Sequence, residues 1–153
     1  MTRIGLIAAL ASLAASSQSQ EVVRAGSGPV VQGPAANFIG RVRVRSLAAP
    51  TAPGQASAGL VTFSAGARSN WHTHPAGQIL YVTRGCGWTQ VEGGAVTRIC
   101  AGDTVYAPPG VKHWHGATSS SAMSHLAITE TVGGRNVEWL EPVTARQYRG
   151  PAR

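Results

Sequence analysis

Charge is scarce in this chain: 12% of its 153 residues are Asp, Glu, Lys or Arg. Lysine is nearly missing, with Lys112 alone beside twelve arginines, and six acids leave a net charge of +7. The arginines are scattered singly, and no reading motif or aromatic platform accompanies them, so the positive balance does not indicate a nucleic-acid partner. The densest group, Arg41-Val42-Arg43-Val44-Arg45, alternates with apolar residues and reads as the solvent face of an edge strand. Helical periodicity is almost absent, which excludes a helical bundle. No apolar run reaches membrane-spanning length either: residues 4–15 after Arg3 are too short for a bilayer but suit the core of a secretory signal.

Residues 1–20 are therefore read as a signal peptide, with Ala15-Ser16-Ser17 offering small residues to a peptidase. The expected location is periplasmic or secreted, with no membrane attachment after cleavage, or cytoplasmic if the leader is not a signal. Cysteine is also sparse. Counting outward from a turn at Gly93-Gly94 sets Cys86 and Cys100 nearly opposite one another on adjacent strands. They can form a disulfide if their side chains share a face and the compartment is oxidising; a reducing cytosol would keep two buried thiols.

What is plentiful is glycine (19) and proline (9), together with 43% hydrophobic residues. That composition fits one domain of many short strands joined by tight turns. Residues 21–37 form an extended arm, and residues 38–149 the domain itself. Strand-like pieces fall at 38–47, 59–64, 78–83, 87–91, 96–100, 104–107, 113–117, 125–132 and 136–140. Thr144-Ala145-Arg146-Gln147 has capping-box spacing and starts one short helical turn. Such evenly spaced strands indicate an all-β sandwich or closed barrel.

Four of the five histidines stand in two His-x-His pairs, His72-Thr73-His74 and His113-Trp114-His115. On a strand, residues i and i+2 project to the same face, so each pair presents two imidazoles together. His125 lies in a further strand-like stretch. Two such pairs, each beside glycine and proline turns, point to a metal site.

The spacing around them is specific. Gly66 is followed after five residues by His72-Thr73-His74, after three more by Gln78 and after six by Gly85; Gly102 is followed after five by Pro108-Pro109-Gly110 and after two by His113. These strings resemble the paired motifs of the cupin superfamily, which implies a single-domain, jelly-roll-like double-stranded β-helix with one metal in its mouth. The implied ligands are His72, His74, Gln78 and His113. The family usually has Glu where Gln78 stands and often Asn where Ala117 stands. Three neutral imidazoles and an amide leave a divalent ion its full charge, making it a stronger Lewis acid that is held less tightly.

Further segments, among them Gly85-Cys86-Gly87-Trp88, Glu92-Gly93-Gly94-Ala95-Val96, Lys112-His113-Trp114-His115-Gly116-Ala117 and Val137-Glu138-Trp139, resemble the bacterial cupin-type hydroxynitrile lyases. That group implies manganese and aromatic cyanohydrins, although the ligand types also admit iron, nickel, cobalt or zinc. His115 or His125 is the expected base, with His125 favoured because related enzymes place a working histidine there. Gly59, Val61, Phe63 and Thr129 have the strand parity to line the pocket. Trp71 and Trp114 alternate with the inward histidines and point away; none of the four tryptophans is assigned to the site. Two other functions compete: a metal-dependent dioxygenase acting on a small aromatic or diketone, and a non-catalytic cupin binding a metal or small ligand. A homodimer or homotetramer is the expected assembly.

Overall fold

The computed structural model describes residues 20–150, so the signal reading of the first twenty residues lies outside the described residues except at Gln20. Among the described residues the regular structure is all β. Its elements are β1 (Val30–Gln32), β2 (Phe38–Ile39), β3 (Val42–Ala48), β4 (Ala56–Phe63), β5 (Arg68–Ser69) and β6 (His72–Thr73). They continue with β7 (Gln78–Val91), β8 (Thr97–Cys100), β9 (Thr104–Ala107), β10 (His113–Ala117), β11 (Met123–Glu130) and β12 (Glu138–Trp139).

The strands form one curled, antiparallel sheet in the order β1-β3-β4-β11-β7-β10-β5-β2, with β8 and β9 on β7 and β6 joining β10 to β12. Strand β7 is the spine. Its first half pairs with β9 and β11 and its second half with β8 and β10, so one strand serves both walls of the barrel. The sequence suggests two strands here, because Arg84-Gly85-Cys86-Gly87 looks like an interruption. The strand in fact runs through, and the register against β11 slips just before that stretch, between Ser124 and His125, leaving Thr83 as the bulged residue. Gly85, two residues on and opposite Met123, has φ +72, and a Cβ would lie 2.1 Å from the Ala122 carbonyl oxygen, so only glycine fits.

Conversely, the expected strand over 38–47 is broken into β2 and β3 at Gly40, whose φ is +81. The arginine-bearing strand is not an edge. The arm supplies β1, which pairs with β3 through Val31 and Val44, so the arm is itself part of the sheet and β1 is the edge strand. Arg43 nevertheless faces solvent, as alternation requires.

Two clusters fill the interior. Phe63, Val42, Val61, Val82, Ala117 and Met123 pack between the walls, and Trp71, Trp114 and Val143 form a second cluster on the outer side of β10. Burying a side chain such as fully enclosed Phe63 contributes about 1.5–3 kcal/mol. The tail is clasped against the second cluster. Arg68 donates to the Val143 carbonyl at 3.2 and 2.9 Å and lies over the Tyr148 ring, while Thr144 and Gln147 bond reciprocally as the expected capped turn. Cys86 and Cys100 are register partners on β7 and β8 and are disulfide-bonded, with Cα atoms 4.1 Å apart.

Candidate metal centre

The ligand cluster assembles at the mouth of the barrel from three strands. His72 on β6 is the register partner of His113 on β10, His74 follows two residues after His72, and Gln78 opens β7. Candidate ligand atoms of His72, His74 and His113 all lie within 4.8 Å of one another, and all three side chains are buried. The fourth residue closes the set: Gln78 Oε1 is 3.0 Å from His113 Nε2.

The backbone fixes the tautomers. His72 Nδ1 faces the Asn70 carbonyl at 2.9 Å, His113 Nδ1 the Val111 carbonyl at 2.9 Å, and His74 Nδ1 the Asn136 carbonyl. A carbonyl oxygen only accepts, so each Nδ1 carries the proton and donates it, leaving an Nε2 lone pair free. His74 Nε2 is buried and has no hydrogen-bond partner among the described residues. At His113 the lone pair faces the Gln78 side-chain oxygen, two acceptors at contact distance. A cation among them removes both conflicts, so the donor set fits a divalent ion.

Burial also holds these rings neutral, as ligation requires. Desolvation pushes the His72 imidazole well below its ordinary value, with neighbouring His113 adding to the effect. The same cause lowers His74 to about 4, and lowers His113 as well.

Behind the cluster, His125 Nε2 lies 3.2 Å from His115 Nδ1, and Phe63 supports both rings from centroid distances of 5.6 and 5.7 Å. His115 Nε2 and His125 Nδ1 are buried without hydrogen-bond partners among the described residues. Desolvation lowers His115 well below the usual range and His125 to about 4.

A cavity of about 250 Å³ opens over the cluster. One wall is polar, made by His72, His74, Gln78, His115, Thr129 and Asn136. The other is apolar, made chiefly by Phe38, Val44, Val61, Val137 and Trp139. Among the described residues, no carboxylate lines it.

Of the pocket residues expected from parity, Val61 and Thr129 line this cavity. Phe63 and Gly59 do not: Phe63 lies fully buried beneath the two histidines, and Gly59 faces the backbone of β3. His125 is also absent from the cavity wall, because His115 stands in front of it. Trp139, left out by the sequence reading, is on the wall and packs on His72 at 5.0 Å. The arm is unexpectedly present too, through Pro34 and Asn37, next to Phe38 at the start of β2. Asn70 joins arm to site: its carbonyl accepts from His72, its N–H donates to the Asn37 carbonyl, and its amide donates to the Ala36 carbonyl.

A curled antiparallel barrel with three histidines gathered in its mouth defines a cupin, and the cupin domain profile matches residues 59–129. The chain belongs to the cupin family. It is 52% identical over 129 residues to the (R)-mandelonitrile lyase of Granulicella tundricola, an alignment covering 84% of this chain and 98% of that protein. With that likeness over nearly the whole of a lyase, the chain is an enzyme of the lyase class. A solved cupin-like protein of Thermotoga maritima superposes with a TM-score of 0.72 at 40% identity, covering 77% of this chain and 90% of that one. An acireductone dioxygenase of Picosynechococcus is 29% identical over 82 residues, 51% of this chain and 47% of that protein.

Proposed function

We propose that the chain is a manganese-dependent hydroxynitrile lyase that cleaves aromatic cyanohydrins of the mandelonitrile type to an aldehyde and hydrogen cyanide. The observation that carries the reading is a ligand set with no carboxylate, placed beside a histidine pair that the ligand set does not use. A divalent ion among His72, His74, Gln78 and His113 would keep its full charge and lower the pKa of a hydroxyl drawn to it.

The chain's own groups then do the following. The polar wall orients the cyanohydrin hydroxyl toward the imidazole cluster, and the apolar wall takes the organic group. His115, neutral through burial and with its Nε2 unpartnered, accepts the hydroxyl proton. The oxygen electron pair becomes the carbonyl bond, the carbon–carbon pair leaves with cyanide, and the imidazolium returns the proton to form hydrogen cyanide. His125, at hydrogen-bond distance behind His115, holds that ring and shares its charge. This assigns substrate contact to His115 rather than to His125.

The test is release of benzaldehyde from mandelonitrile by purified protein, with and without manganese, under air and under nitrogen. Manganese-stimulated release independent of oxygen supports the lyase; oxygen consumption on an aromatic or diketone substrate without such release would replace it with the dioxygenase.

We also propose export to an oxidising compartment, which the Cys86–Cys100 bond supports. A homodimer or homotetramer is supported by Ile79, Tyr106 and Ile128, register neighbours exposed on the outer sheet. Sedimentation of the purified protein measures that assembly.

A further inference from the structure

The apolar wall of the cavity has a feature that the metal cluster does not explain. Phe38 and Trp139, from opposite ends of the domain, meet with ring centroids 5.1 Å apart and planes at 64°. Both are half-buried, whereas the imidazole wall opposite is buried, and both line the cavity. Two rings at that angle form a corner. A third ring entering it can stack on one and present its edge to the other, the two arrangements that aromatic quadrupoles favour.

The corner is built rather than incidental. Phe38 is held by a turn in which its N–H and that of Asn37 both donate to the Pro34 carbonyl, at 3.1 and 2.9 Å. Asn70 anchors that turn through the Ala36 and Asn37 carbonyls. Gly33 makes room for the ring, since a Cβ there would lie 2.8 Å from Phe38 Cδ2. Beneath, Phe63 meets Phe38 at 6.1 Å. Trp139 rests on His72, itself one ring from His74, His113 and His115. A planar group seated against Trp139 thus has its first substituent carbon beside the ligand cluster.

Resting on the lyase reading above, we infer that Phe38 and Trp139 are the seat of the substrate's aryl ring, and that Trp139 is the residue setting preference for aromatic over alkyl cyanohydrins. Val44, Val61 and Val137 complete the apolar wall but offer no flat face.

The experiment compares wild type, Trp139→Leu and Trp139→Phe, each assayed for metal content and for kcat/KM on mandelonitrile and on acetone cyanohydrin. Loss of a stacked aromatic contact lowers the mandelonitrile-to-acetone-cyanohydrin ratio on the order of tenfold in Trp139→Leu, with metal retained, and Trp139→Phe restores most of it. An unchanged ratio overturns the inference. So does loss of metal in Trp139→Leu, which would make the tryptophan a support for His72. If wild type cleaves neither compound, the lyase reading fails separately, and calorimetry with benzyl alcohol on the manganese-loaded proteins decides the seat. Binding about tenfold weaker in Trp139→Leu upholds it; equal binding, or none in wild type, overturns it.

Discussion

Metal-free protein should lose stability steeply as the pH falls below neutrality, and His125 allows the loss to be worked out. Its side chain is 0% exposed, and burial lowers it from 6.5 to about 4. The folded state therefore binds a proton less readily than the unfolded chain. Its contribution is fully present above pH 6.5, declines as the unfolded chain protonates, and reaches its floor near pH 4. The whole shift is worth about 3 kcal/mol, of which about 2 kcal/mol is gone by pH 5. Against a typical stability of 5–15 kcal/mol that is a large fraction for one side chain.

The perturbation is His125→Leu, and the assay is urea unfolding of chelator-treated protein from pH 7.5 to 4.5. The variant is destabilised at neutral pH, because His115 Nδ1 loses its partner in a dry site, and the gap narrows as the pH falls. The readout is therefore the slope: wild type should fall more steeply than His125→Leu by a difference approaching 1.4 kcal/mol per pH unit near pH 5. Superimposable slopes would refute the reasoning, since they would mean that His125 ionises as readily folded as unfolded.

His113→Ala should lose metal and activity together, whereas His115→Ala should keep the metal and lose about 10²–10⁴-fold in turnover; full metal occupancy in His113→Ala would remove it from the ligand set. Gln78→Glu should bind divalent metal more tightly and turn over more slowly, because the carboxylate cancels one unit of the ion's charge; metal titration and steady-state kinetics read the two effects independently. Breaking the Cys86–Cys100 bond by Cys86→Ser with Cys100→Ser should cost about 3 kcal/mol for a loop of this length, measured as a shift in the urea midpoint.

The metal centre was legible in the sequence because its signal is local. Strand parity aligns His72 with His74 and His113 with His115, and glycine and proline turns fix where those strands begin. Opposite placement of Cys86 and Cys100 was legible for the same reason, since a hairpin register can be counted from its turn. The cavity wall was not, because it depends on long-range pairing. Phe38 reaches the site only because the arm adds β1 to β3 and then turns back. Trp139 lies on a strand of two residues, too short to show a period. Phe63 has the correct parity but sits too deep, below His115, and parity carries no information about depth. Gly85 misled in the other direction: a glycine needed for a positive φ and close backbone approach inside a strand resembles one needed for a chain reversal.

Asn70 gives the arrangement a mechanical consequence. The ligands come from β6, β7, β10 and the turn after β6, while the aromatic corner comes from β2, just after the arm, and from β12. Asn70 couples the two on the arm's side, because the peptide that sets the His72 imidazole also grips the turn carrying Phe38. A remodelled arm would tilt a ligand through this joint, and changes on β12 would reach the same imidazole through Trp139. On that side the joint is the direct contact of Trp139 with His72, its register partner, so selection for new substrates would reach the ligand set from either wall of the mouth.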